Sequence, residues 1–195
     1  MASSDEVTTN RAFAPGSVLD WIGSAEMSRM QSITFQYFLF CGGSVACPFF
    51  MPVEKLENGN WLHAGRLPLG CGWSGQCTAP GHEGEIPSQE ELREFCNLGY
   101  AQGCGRLPRE RTWDSVRFAA RTVSGDGNGA GRNVQVRYVC EREHLPAEHG
   151  TLEFDALEAR WVEVHGDRRV QRMAECFLES YVEKKRRQEV TQAAS

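Results

Sequence analysis

Apolar positions recur at helical spacing most clearly near the end of this chain. Val170, Met173, Ala174, Phe177, Leu178, Tyr181 and Val182 fall on one stripe, so the residues after Asp167 are expected to form an amphipathic helix packed across other structure. Upstream, alternation takes over. Val134, Val136, Tyr138 and Cys140 share one face of an expected strand, and Val116 to Val123 is its expected neighbour across SGDGNGAGRN, residues 124 to 133. Thr151 to Phe154 and Arg160 to Val164 read as a second strand pair around DALEA. Gln31 to Phe40 alternates at Ile33, Phe35 and Tyr37, as a strand or buried extended segment would, and Gly42 and Gly43 break it.

From Cys47 to Pro87 little is periodic. Pro48, Pro52, Pro68, Pro80 and Pro87, interleaved with glycines, describe loops rather than elements. Ser88 then opens a helix: with Glu91 three residues on it forms a capping box, and Glu90 and Glu91 suit the positive helix end. Leu92, Phe95 and Cys96 share its expected inner face, Gly99 ends it, and Cys104 lies in the Gly-rich loop beyond. The fold class expected is α+β: a cysteine-rich, loop-dominated half with one capped helix, plus a small antiparallel sheet covered by the C-terminal amphipathic helix. Residues 1–40 read as a poorly ordered tail, 41–187 as one metal-binding domain and 188–195 as a flexible tail.

Composition narrows the function classes. A 195-residue chain that is 41% hydrophobic has material for a real core. Its 21 basic against 26 acidic side chains give a net charge of −5, which argues against a general nucleic-acid binder, and Lys184 to Arg187 reads as a solvated helix face. No stretch is long enough to span a membrane, and MASSDEVTTN is not a secretory signal. A start at Met27 or Met30 would make SVAC before Cys47 resemble a lipoprotein cleavage site. Thr34 and Gln36 interrupt that apolar run, however, and Pro48 follows the cysteine. A reducing cytoplasm is the expected location, where clustered cysteines read as ligands or reactive thiols rather than bridges.

Five of the eight cysteines, Cys47, Cys71, Cys77, Cys96 and Cys104, fall between residues 47 and 104, among Gly and Pro. So long a loop needs some constraint other than a packed face, and several thiolates on one metal centre supply it. Structural zinc favours ligand pairs two to four residues apart, whereas no C-x-x-C occurs here. A 4Fe-4S iron–sulfur cluster, with separately ligated corner irons, suits wide and uneven spacing better. Gly70, Gly72, Gly75, Gly103 and Gly105 would bring backbone amides to the sulfurs, and Phe49, Phe50, Trp73, Phe95 and Tyr100 either exclude water or belong to ordinary core. Zinc stays open as an alternative, with His82, His144 or His149 completing a mixed site. So does a thiol-redox protein whose Cys71 and Cys77 exchange with a disulfide.

The strings CPFFMP, RLPLGCGWSGQC, CNLGYAQGC, WDSVRF, REHLPAEHGTLEFD and AECFLESY resemble an uncharacterised bacterial four-cysteine family over about Cys47 to Tyr181. The resemblance implies Cys47, Cys77, Cys96 and Cys104 as the cofactor-binding and metal ligands, with Cys71 an extra, and implies no activity. Cys41, Cys140 and Cys176 read as plain core or surface thiols. Whether the chain is an enzyme is left open. No G-x-S-x-G or phosphate loop occurs, His144, Glu148 and His149 read as a solvated loop, and His63 and His165 stand alone. The leading expectation is a small iron–sulfur protein, structural or electron-transferring, with a redox or protein partner of unknown identity. A zinc-stapled interaction module is the alternative.

Overall fold

The computed structural model describes residues 45–56, 61, 67–99, 103–124 and 132–193. The expected tail over residues 1–40, the Gln31–Phe40 segment, Cys41, His63 and Tyr100 lie outside these. The fold is α+β, with two antiparallel sheets, one short capped helix and one long C-terminal helix.

The larger sheet has the order β3-β4-β5-β6, with β3 at Ser115–Ser124, β4 at Arg132–Arg142, β5 at Leu145–Asp155 and β6 at Arg160–Trp161. Alternation produces it. Val116 and Phe118 on β3, Val134, Val136 and Cys140 on β4, and Leu152 on β5 are buried, on a common face given the pairings Val116↔Cys140 and Val136↔Leu152. Helix α2, Arg168–Ala193, meets that face with Val170, Met173, Ala174, Cys176 and Leu178. The Phe118 and Phe177 rings stack with centroids 5.7 Å apart. The other face of β3 buries charge instead: Arg117 is 8% exposed and pairs with Glu141, which also accepts a 2.9 Å hydrogen bond from the Ser115 hydroxyl.

Three details differ from the pattern reading. EHLPAEHG is not a loop. Glu143 and His144, both at positive φ, turn the chain, and β5 starts at Leu145. The tight turn carries no glycine, so nothing in the letters announced it. Residues 188–193, expected in a tail, continue α2 to Ala193 on an exposed surface. The loop stretch after Cys47 also contains a two-stranded sheet, β1 at Phe50–Lys55 and β2 at Trp73–Cys77. Pro52 and a register shift between Pro52 and Glu54 cut the alternation that would have revealed β1.

The two sheets share one apolar core, which runs from Phe50, Leu69, Trp73 and Leu92 to Val116 and Met173. Ala46 pairs with Val116 through hydrogen bonds of 2.7 and 3.0 Å, so the backbone just before Cys47 is tied to β3. From α2, the Arg172 guanidinium donates to the Pro52 and Val53 carbonyls, each at 3.0 Å, and binds the bulge of β1.

Candidate metal centre

Cys47, Cys77, Cys96 and Cys104 line one cavity, together with Phe49, Phe50, Phe95 and Leu107. Four separate local structures deliver them. Cys47 opens a turn in which the Phe50 amide donates to the Cys47 carbonyl at 3.1 Å, and the Phe49 and Phe50 amides also bond the Cys47 thiol. Cys77 ends β2 directly opposite Phe50. Its amide and carbonyl close a small loop by bonding the Glu85 carbonyl at 2.8 Å and the Gly84 amide at 2.9 Å. Cys104 opens a turn closed by the Leu107 amide at 3.3 Å.

Cys96 arrives on the capped helix. Ser88 and Glu91 form the capping box, with the Ser88 amide donating to Glu91 at 2.7 Å and the Glu91 amide to the Ser88 hydroxyl at 3.2 Å. Helix α1, Gln89–Glu91, then widens into a π-turn over Leu92–Cys96, closed by the Asn97 amide on the Leu92 carbonyl at 3.1 Å. The widened turn shifts Cys96 and Phe95 relative to an ordinary helix, which the sequence reading had assumed. Gly99 ends the segment at φ +63°, and a Cβ there would sit 1.7 Å from the Val45 carbonyl oxygen, so no side chain fits.

Asn97 is the residue sequence reasoning missed. It is 3% exposed. Its side chain accepts from the Trp73 amide at 2.9 Å and donates to the carbonyls of Trp73 at 2.9 Å and Leu92 at 3.0 Å. The carboxamide thus completes β2 as a strand neighbour would, and fixes the Cys96 turn against the strand that carries Cys77. The only signal was a polar residue directly after a cysteine at an expected helix end. Arg106 does a similar job at the rim, reaching Glu85 at 3.4 Å and Glu91 at 3.1 Å.

Burial raises the Cys47 thiol to about 11 and the Cys96 thiol to about 12, and the neighbouring cysteines add to both. Two thiols of this apolar cavity thus resist ionisation, and a cation among the four sulfurs would offset the charge of a thiolate there. Among the described residues, the group whose donor atoms all lie within 4.8 Å of one another is Cys140, Glu148 and His165, not three of these four cysteines.

Other expected candidates lie elsewhere. Cys71 is half-buried, its thiol 3.1 Å from the Ser180 hydroxyl, and burial raises its pKa. His82 bonds Glu85 at 3.1 Å on the surface, and His144 and His149 are exposed at the β4–β5 turn and on β5. Cys140 and Cys176 are buried core thiols. Phe49, Phe50 and Phe95 line the cysteine cavity, whereas Trp73 lies in the core. Gly72 and Gly75 serve packing: a Cβ would meet the Trp61 ring at 2.1 Å or the Met51 carbonyl oxygen at 2.3 Å. Unlike the expectation for His165, its imidazole is only 6% exposed and meets Glu148.

No family model, curated protein or solved structure matches the chain. No helix among the described residues is long and apolar enough to cross a membrane.

Proposed function

We propose that this chain is a small metal-binding protein of the four-cysteine family it resembles. Cys47, Cys77, Cys96 and Cys104 hold a 4Fe-4S cluster in a structural or electron-transfer role. The observation that carries the reading is the convergence of four thiols, from four local structures, on one cavity walled by Phe49, Phe50, Phe95 and Leu107. Their spacing supports a cluster over zinc. A tetrahedral ion with Zn–S bonds of about 2.3 Å brings its sulfurs within roughly 4 Å of one another. No C-x-x-C pair occurs among these ligands, whereas irons ligated at separate corners suit cysteines spaced so widely along the chain.

Bound there, a cluster would supply one-electron transfer or a rigid covalent staple. The chain's own residues do the rest. The Phe49 and Phe50 amides donate to the Cys47 sulfur and favour its ligating, thiolate form. The phenyl rings exclude water, and Asn97 and Arg106 fix the turns that carry Cys96 and Cys77. A reducing cytoplasm, where these thiols stay free to ligate, is the compartment that fits.

The test is anaerobic purification with an absorption spectrum and iron and acid-labile sulfide assays. A broad visible absorption with about four irons per chain is expected. A colourless, iron-free, stably folded protein overturns the reading, and one equivalent of zinc transfers the site to an interaction module.

A further inference from the structure

Beside the start of α2 lies a second cavity that the cysteine centre does not use. It measures about 430 Å³ and is lined by Trp113, Tyr138, Glu148, Glu163, His165 and Asp167, with the backbone around Gly150 and Gly166. That volume falls in the range of small-molecule sites. Three carboxylates and two large aromatic rings face it, and no lysine or arginine among the described residues lines it. Asp167 is committed to Arg169, leaving Glu148 and Glu163 for a ligand.

His165 decides what kind of ligand fits. The Asp167 amide donates to its Nδ1 at 2.9 Å, and an amide can only donate, so the neutral ring carries its proton on Nε2. Nε2 lies 3.1 Å from a Glu148 oxygen and donates to it. Cys140, Glu148 and His165 are close enough for a transition metal. Ligation through Nε2, however, would push the proton onto Nδ1, directly against the Asp167 N–H. The imidazole is built instead to aim a carboxylate. Glu148 takes that bond and one from the Tyr138 hydroxyl at 3.4 Å, while its side chain stays 41% exposed at the cavity. The Tyr138 and Trp113 rings in turn stand edge-on to the imidazole, with centroids 4.6 and 6.2 Å away.

We propose that this cavity binds a small organic cation, an ammonium-bearing ligand, through the Glu148 and Glu163 carboxylates against the rings of Trp113 and Tyr138. Carboxylates give the charge complement, and aromatic faces attract cations where water is thinned out. The same carboxylates bear on the neighbouring Cys140 thiol: burial raises its pKa most, and Glu148, Asp167 and Glu141 push it further up. The site stands or falls separately from the cluster.

The experiment is titration of the full chain with n-butylammonium and choline, and with butyrate as the anionic control. Backbone amide NMR signals of Gly150 and Gly166 and the Trp113 indole signal are followed. Saturable shifts with an ammonium probe and none with butyrate are expected. Glu148→Gln weakens binding about 10-fold, and Glu163→Gln, at an exposed position where folding is not at stake, about 3-fold. Absence of saturable shifts up to about 50 mM, an equal response to butyrate, or wild-type affinity in both variants overturns the proposal. So does stoichiometric Zn²⁺ uptake that His165→Ala abolishes in a protein indifferent to ammonium.

Discussion

In the larger sheet, β3, β4 and β5 run 10 or 11 residues and bury an apolar face, from Val116 and Phe118 across Val134 and Val136 to Leu152, with α2 packed on it. In the smaller one, β1 and β2 run 6 and 5 residues around a bulge, and the described residues between β2 and β3 form turns, one capped helix and a π-turn. The first region carries its stability in its own side chains, at roughly 25 cal/mol per Å² of apolar surface. The second has a few core anchors, chiefly Phe50, Trp73 and Leu92, and too little regular pairing to hold its loops. The proposed four-thiolate centre would close those loops from inside, and its binding free energy would then act as folding free energy. On that proposal, one region folds on its pattern and the other on its chemistry.

The largest effect follows from removing that chemistry. Chelation, or Cys96→Ala, is expected to abolish the visible absorption and hydrogen-exchange protection around residues 73–77, 89–99 and 103–107. Protection across β4 and β5 persists. Structural metal sites can contribute on the order of 10 kcal/mol, against which no local contact here competes. Equal loss of protection in both regions would make them one cooperative unit and dissolve the contrast.

Next in size is a change confined to the sheet. Arg117 and Glu141 form a buried pair, with Ser115 donating to Glu141, and removing one partner takes this counter-charge from the other's buried group. Arg117→Ala is expected to lower unfolding stability in urea by about 3–5 kcal/mol, whereas replacing both with apolar residues of similar volume costs far less. The cluster spectrum should be unchanged. An equally damaging double variant would mean that the pair is more than a satisfied burial.

Asn97→Ala tests the seam on the other side. It leaves the Trp73 amide and carbonyl without partners in a buried setting, at a cost of about 1–3 kcal/mol. Because the same side chain fixes the Cys96 turn, metal should also leave faster in a chelator competition. A stability loss with unchanged metal release would reduce Asn97 to a packing role.

Legibility in the sequence divides along the same line. The stripe from Val170 to Val182, the β3–β4 alternation and the Ser88–Glu91 capping box all follow from local periodicity or a short motif, and the fold class was readable from them. Strands β1 and β2 were not, since Pro52 and a bulge erase a two-residue period over so short a run. The start of β5 was hidden by a non-glycine turn at Glu143 and His144. At the centre, the residue types and their crowding were legible, and the ligand set came from motif resemblance. That these four thiols rather than Cys71 share a cavity is a long-range fact: Cys71 and Cys77 lie close in sequence, yet β2 carries Cys77 to the cavity while Cys71 meets Ser180 on α2. His165 and Glu148 were read as unrelated solvated groups because only the return of the chain after β6 brings them together.

The smallest expected effect lies where α2 begins. Asp167 accepts the Arg169 amide at 2.8 Å and pairs with its guanidinium, and these bonds hold its carboxyl below the ordinary value of 3.8. A depressed folded-state pKa means stability that is fully present above the ordinary carboxylate range and lost as pH falls through it. Asp167→Asn keeps a capping side chain but removes the charge, so the wild type should exceed it by about 1 kcal/mol at pH 6, a modest figure because the pair is partly solvated. The gap should narrow as pH falls below the ordinary value of 3.8, measured by urea unfolding. The Arg169 guanidinium also lies 5.3 Å over the Phe49 ring, a wall of the cysteine cavity. If releasing Arg169 in the variant also shifts the cluster spectrum, the helix cap couples the two regions. An unshifted spectrum with the same stability loss keeps the cap within the sheet-and-helix half, as the division by stabilising force requires.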